Sequence, residues 1–336
     1  MKYGRELPGH PFNFKALMTR GIIVFQRKIF SDWLRNSSDH AKIPVSFTRE
    51  ETQVEIRNML TSDSPKMVSR FGSYEMEATL RSIDVTAPES VLKKTYQMLF
   101  GKRGPFWWDN SIRGGLVWNA GFFPPTNDAL NQFGKKVIED CKLIDLLGSS
   151  VAGEKRMQKL FVPNMKATAL GNLSPIVASN PWTQALEGKK VLVVHPFTNT
   201  IQKQFQKRQL LFQNPMILPD FELITYKPVV TLAGNQSEFE TWFEALDHMC
   251  NEISTLRFEI AIVGAGAFGM SIAAHIKRME RKVVHLGGET QILFGIKGKR
   301  WDERPSYTEI YNEHWTRPLP EDTPANTKTV EGGCYW

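Results

Sequence analysis

Cysteine is scarce in this chain: three in 336 residues, odd in number and far apart. Cys141, Cys250 and Cys334 form no CxxC pair, which excludes a disulfide framework and a paired-thiolate zinc site and fits a reducing compartment. Long apolar runs are also missing. None approaches the roughly 20 residues a spanning helix requires, and the short GIIVF near the start lacks the apolar stretch of a signal peptide. The expected location is therefore cytoplasmic. There is no internal repeat and no low-complexity tract, and no block of like charge, although 42 Lys and Arg against 35 Asp and Glu leave a net +7 and a pI near 9.2. Basic residues spread this evenly argue against nucleic acid as a partner. A mild positive excess suits an anionic ligand such as a nucleotide diphosphate, or an anionic membrane surface.

What is present is a composition able to fold. With 41% hydrophobic and 23% charged residues the chain can bury a large core, and one α/β domain with decorated ends is expected. The boundaries read as an N-terminal extension over 1–45, an α/β domain over 46–303 and an arm over 304–336. In the extension, Met18, Ile22, Phe25, Ile29 and Trp33 recur at helical spacing, interleaved with Arg20, Arg27, Lys28 and Arg35. Such a stripe docks on the protein's own core or lies on an anionic membrane, and residues 12–35 would then be a peripheral contact at the inner membrane face.

From residue 66 the pattern alternates. KMVSRFG reads as a strand and SYEMEATLRSI as a helix opened by Ser73. Residues 101–125 are too rich in glycine, proline and aromatics for a regular element, and a helix follows from Asn127 to Cys141. In the second half KKVLVVHPF, FELITYKPV, FEIAIVG and KVVHLGG are buried-type strands. The helices between them open at Asn199 and Ser237 and, for the last, run through Arg281. Three successive strand-helix-strand units predict a Rossmann-like parallel sheet with helices on both faces, because a crossover helix is the short right-handed route between parallel strands. Ligands of such sheets bind beyond the carboxyl ends of the strands. The Pro- and Thr-rich tail after Arg317 is expected to be extended.

VGAGAFG places Gly264, Gly266 and Gly269 in GxGxxG spacing between a strand and a helix. Such a turn lets backbone amides approach a diphosphate at a helix N-terminus; it also serves merely as a tight, closely packed bend. An NAD enzyme wants a carboxylate at the end of the next strand, and here VVHLGGE offers His285 and two glycines before Glu289. A nicotinamide-dependent oxidoreductase therefore stands as the alternative rather than the first reading. At the other end of the chain RFGSYE brings Arg70, Gly72, Ser73 and Glu75 to a second strand-to-helix junction. Arg70 is suited to a phosphate in two-point geometry or to holding Glu75, and Glu75 to a divalent cation or to general-base work.

RFGSYE resembles the R-F-G-D-G-E signature of GT-D-fold glycosyltransferases, in which an Asp-x-Glu pair serves metal and nucleotide-sugar binding. NAGFFP, KKVLVVHPF, VGAGAFG with HLGG, and EGGCYW are similar to segments of the broader GT-D-like group found with bacterial polysaccharide clusters, so that the resemblance spans most of residues 66–336. It implies transfer of a sugar, hexosyltransferase-type, from a nucleotide-sugar donor to a glycan or lipid-linked acceptor. Glu75 matches the motif's glutamate; Ser73 stands where the signature has aspartate, which leaves one carboxylate for Mn²⁺ or Mg²⁺. A catalytically silent nucleotide-binding protein, made plausible by this serine, stands as a further alternative. For the same chemistry, Gly264 and Gly266 are assigned to the diphosphate with Lys297 of GIKGKRW adding charge. His195 at the end of VLVVHPF is assigned as base or phosphate contact, and Asp109 of FWWDN as a second acid beside Trp107 and Trp108.

Overall fold

The computed structural model describes residues 43–100, 103–323 and 333–336. The amphipathic stripe from Met18 to Trp33 lies outside the described residues. Among the described residues seven strands form one sheet, every pair parallel: β1 Met67–Ser69, β2 Leu146–Ser149, β3 Lys166–Ala169, β4 Lys190–Val194, β5 Glu222–Tyr226, β6 Ile260–Val263 and β7 Lys282–His285. Their spatial order is β3-β2-β1-β7-β6-β4-β5. The four in the middle read as short continuous apolar runs because both of their faces are covered.

The two faces divide by residue parity, as strand geometry dictates. Met67, Leu192, Val194, Ala261, Val263 and Val283 point into one core. It is closed by α2 Ser73–Thr86, α5 Asn127–Cys141, α8 Trp242–Thr255 and α9 Gly269–Arg278, whose Phe133, Trp242 and Ile272 are completely buried. Val68, Val191, Val193, Ile260, Ile262 and Val284 point the other way, against α1 Arg49–Thr61, α7 Thr198–Gln206, α10 Glu289–Leu293 and the large side chains of Trp182, Trp301 and Trp315. Among the described residues beyond 304, Tyr307, Trp315 and Trp336 pack in this second layer. Trp315 donates its indole N–H to the Leu211 carbonyl, and the buried Asp322 carboxylate accepts from the Thr200 amide at 2.7 Å.

Several helix starts differ from those predicted. Gly72 occupies the position before α2, and Ser73 is the helix's first residue without a capping bond. Helix α7 begins at Thr198, leaving Asn199 inside it, while α8 is capped by the Thr241 hydroxyl, which accepts from the Glu244 amide; Ser237 lies too far upstream. Helix α9 ends at Arg278, short of Arg281. The glycine- and aromatic-rich stretch is not wholly irregular: after α3 Val91–Leu99, α4 Asn110–Gly114 runs into a wide i→i+5 turn over Gly115–Ala120. Such wide turns place side chains off the regular helical register and are frequent beside sites. Here the turn carries Asn119 and Ala120 to the edge of the sheet.

The direction of travel reverses between β4 and β6. From β4 the chain moves outward to β5, whereas from β6 it moves inward to β7, beside β1. The loops after these two neighbours therefore part, and a crevice opens at the carboxyl edge of the sheet.

Candidate functional site

The crevice holds a cavity of about 150 Å³. Four strand ends build its wall. Arg70, Gly72 and Glu75 come after β1, His195 and Phe197 after β4, Gly264 and Gly266 after β6, and Gly287 after β7. Two parts of the sequence almost 200 residues apart, the arginine-glutamate corner and the glycine turn, thus line one space.

Each glycine has its own steric reason. A Cβ on Gly264 would stand 2.4 Å from the Gly287 carbonyl oxygen and 2.9 Å from a carbon of the His195 ring, so only glycine lets the loops after β6 and β7 touch. Gly266 has φ +52°, in the left-handed region, and turns the chain into the single-turn helix that feeds α9. Gly269 sits beneath the His285 ring, where a Cβ would meet Nε2 at 2.4 Å. The third glycine of the motif therefore seats a histidine and is not on the cavity wall. The N-termini of α2 and α9 both begin at this edge, and the partial positive charge of helix starts favours an anion there.

The two buried histidines are held neutral. Nδ1 of His195 accepts the Phe197 amide at 3.1 Å, so its single N–H is at Nε2. Burial pushes its pKa down to about 3. At neutral pH His195 is a hydrogen-bond donor, and the role of base does not suit it. Nδ1 of His285 pairs with the Ser69 hydroxyl at 3.0 Å, and burial, with the nearby Arg70 charge, brings this ring to about 3 as well.

Polar atoms without partners cluster here. Arg70 Nε and Trp336 Nε1 are buried donors with no acceptor, while Gln291 Oε1 is a buried acceptor with no donor, and all three residues line the cavity. Buried polar atoms rarely stay unpaired in a native protein, and each such atom asks for a ligand or water. Among the described residues Glu75 is the sole acid on the wall. Among the described residues no group of three or more His, Cys, Asp or Glu is arranged to hold a metal. One carboxylate beside the hydroxyl of Ser73 does not make a divalent-cation site from protein atoms alone.

Besides Gly269, two further predicted residues lie elsewhere. Asp109 caps α4: Oδ1 accepts from the Ile112 amide at 3.1 Å and Oδ2 from Arg81 at 3.0 Å. Its neighbour Trp108 is a core residue that donates to Asn131, so the aromatics at 107–108 do not form a platform on this cavity. Lys297 stands over the Tyr311 ring, 5.2 Å from its centroid, also outside the cavity. What sequence reasoning missed is the far wall. Tyr335 and Trp336 close the cavity, with Trp336 packed edge-on against Phe197 at 5.9 Å. Arg300 fixes them, its guanidinium 4.6 Å above the Tyr335 ring and its amide donating to the Cys334 carbonyl. The hint in the sequence is the terminal EGGCYW, which shares in the resemblance but carries no assigned role in the site.

The chain matches no protein-family model, and neither a curated protein nor a solved structure matches it.

Proposed function

We propose that this protein is a glycosyltransferase that moves a sugar from a nucleotide-diphosphate donor to a glycan or lipid-linked acceptor. One observation carries the reading: the Arg70–Glu75 corner and the Gly264–Gly266 turn line the same donor-rich cavity. In the reaction the bond from the anomeric carbon to the diphosphate breaks, the acceptor oxygen forms a new bond to that carbon, and its proton leaves. Charge grows on the diphosphate, and Arg70, the Nε2–H of His195, the helix start at Ser73 and the Gly264–Gly266 turn are the groups to receive it. Glu75 is the group assigned to the acceptor proton.

The cavity is smaller than the roughly 300–1,000 Å³ of typical small-molecule sites. On this reading the diphosphate fills it, and the nucleoside and the sugar extend from its mouth. The end of β7 supports this reading over a nicotinamide one, because a neutral histidine, His285, stands where a ribose-binding carboxylate is wanted.

A thermal-shift panel tests the proposal, using UDP-, GDP-, dTDP- and CMP-sugars and NAD(P), each with and without Mn²⁺. A ligand at 100 times its Kd stabilises by about 2.7 kcal/mol. Stabilisation by a sugar nucleotide, with transfer abolished in Glu75→Ala, is the expected result. A response to NAD(P) alone sinks the reading, and donor binding without turnover makes the protein a silent binder.

A further inference from the structure

A second cavity, of about 460 Å³, opens at the same carboxyl edge of the sheet. It lies between α2, the segment 103–105 and the turn from β2 to α6 Glu154–Phe161, and Ser73 lines both cavities. The charged part of its wall is Glu77, Arg81, Asp84, Arg103 and Arg156. The charges on this wall are already matched. Buried Asp84 accepts from both Nη atoms of Arg156 at 3.0 and 2.6 Å and pairs with Arg103 Nε at 3.5 Å. Arg103 Nη2 meets Glu89 at 3.0 Å, and Arg81 meets Asp109 at 3.0 Å with Glu77 3.8 Å away.

An anion gains little from such a wall, since each guanidinium already faces a carboxylate. What remains is a hydrogen-bonding surface in which donors and acceptors alternate. One donor is left over: Arg103 Nη1 is buried without an acceptor, on a side chain that is only 8% exposed. Leu80 and Val151 add apolar wall. Alternating fixed donors and acceptors beside a modest apolar surface complement the vicinal hydroxyls and C–H faces of a neutral saccharide, each hydroxyl being donor and acceptor at once.

We infer that this cavity is a saccharide site, the acceptor subsite of the transfer proposed above, with its sugar hydroxyls bonded to Arg103 Nη1 and to the Asp84–Arg156 pair. The acceptor half of this statement rests on the glycosyltransferase reading; the saccharide half does not. Placing the two ligands on either side of Ser73 brings an acceptor hydroxyl and a donor sugar to the same helix start.

Saturation-transfer NMR of the full chain with methyl glycosides of glucose, galactose, mannose, rhamnose and N-acetylglucosamine tests the site. At least one glycoside should give signals in the native protein. Ala152→Trp, which fills the cavity from its rim, should erase them, and Arg103→Gln should weaken binding about tenfold, the worth of one charge-assisted hydrogen bond. Circular dichroism checks that both variants fold, and stabilisation by sugar nucleotides should be unchanged in both. Absence of any glycoside signal from the native chain overturns the inference, as do signals that survive Ala152→Trp. Glycoside binding that these variants remove, in a chain that no sugar nucleotide stabilises, leaves the saccharide site standing and removes the transfer reaction.

Discussion

The carboxylate of Glu75 lies directly over the Cα of Gly72: a Cβ built on Gly72 would stand 1.8 Å from Oε2. The backbone of Gly72, with φ −79° and ψ 151°, is open to any residue, so the carboxylate, and not the turn, requires glycine here. Gly72→Ala is predicted to drive the carboxylate out of its place at the start of α2. Glycine to alanine before a helix costs on the order of 1 kcal/mol, and the urea midpoint should move no more than that allows. Sugar transfer at saturating donor should fall roughly tenfold or more, the factor that follows from a loss of 1.4 kcal/mol in transition-state stabilisation. Native turnover in the folded variant would show that the position of Glu75 is unimportant.

Much of the sheet was legible because continuous apolar runs such as VLVV and IAIV have little choice but a strand buried on both faces. Helix α5 was legible at both ends, since Thr126 caps it and its apolar residues keep one face. Helix starts were harder. Where several serines, threonines and asparagines precede a helix, each can cap it, and tertiary packing decides; completely buried Trp242 as the first residue of α8 selects Thr241 over Ser237. Asp109 illustrates the same ambiguity, because an acid before a helix reads as a cap or as a catalytic group, and only its bonds to Ile112 and Arg81 distinguish them. The far wall was illegible for another reason: Tyr335 and Trp336 meet Arg70 and His195 through chain distance, which no local periodicity encodes.

Gly264 is predicted to be the least replaceable glycine of the motif. The atom that a new Cβ would strike is the Gly287 carbonyl oxygen, backbone fixed between two strand ends. Gly264→Ala should cost about 1–3 kcal/mol, as overpacking does. Gly171 supplies the control, because a Cβ there meets nothing within 4 Å and alanine should be neutral or mildly stabilising. Chemical denaturation of both variants decides the matter, and equal midpoints would refute the steric account.

Acid should destabilise the protein before its carboxylates titrate. His195 and His285 are neutral in the folded chain down to about pH 3 but gain a proton near 6.5 once unfolded. Below pH 6.5 the unfolded state therefore binds more protons. The stability these rings contribute is complete above that pH and declines as pH falls toward 3, by up to about 1.4 kcal/mol per pH unit for each. His275, also lowered by burial, adds to the slope. His195→Asn combined with His285→Asn keeps an acceptor oxygen for the Phe197 amide and the Ser69 hydroxyl while removing the titration. Urea midpoints at pH 7 and pH 5 should differ clearly in the native chain and much less in the double variant; parallel losses would mean that the rings are solvated.

Trp336 separates a ligand contact from a packing role. Its ring packs against Phe197, but its indole N–H is buried without an acceptor, a liability in the unliganded protein. Trp336→Phe keeps an aromatic ring beside Phe197 and deletes the orphaned donor, so stability should stay level or rise slightly. Affinity for the sugar nucleotide should fall about tenfold, as the loss of one hydrogen bond to a charged ligand predicts. The indole also reports directly, and a ligand-induced change in tryptophan emission present in the native chain should shrink in this variant. If the melting temperature drops while affinity holds, Trp336 is a structural side chain, and the N–H belongs to a water rather than to the substrate.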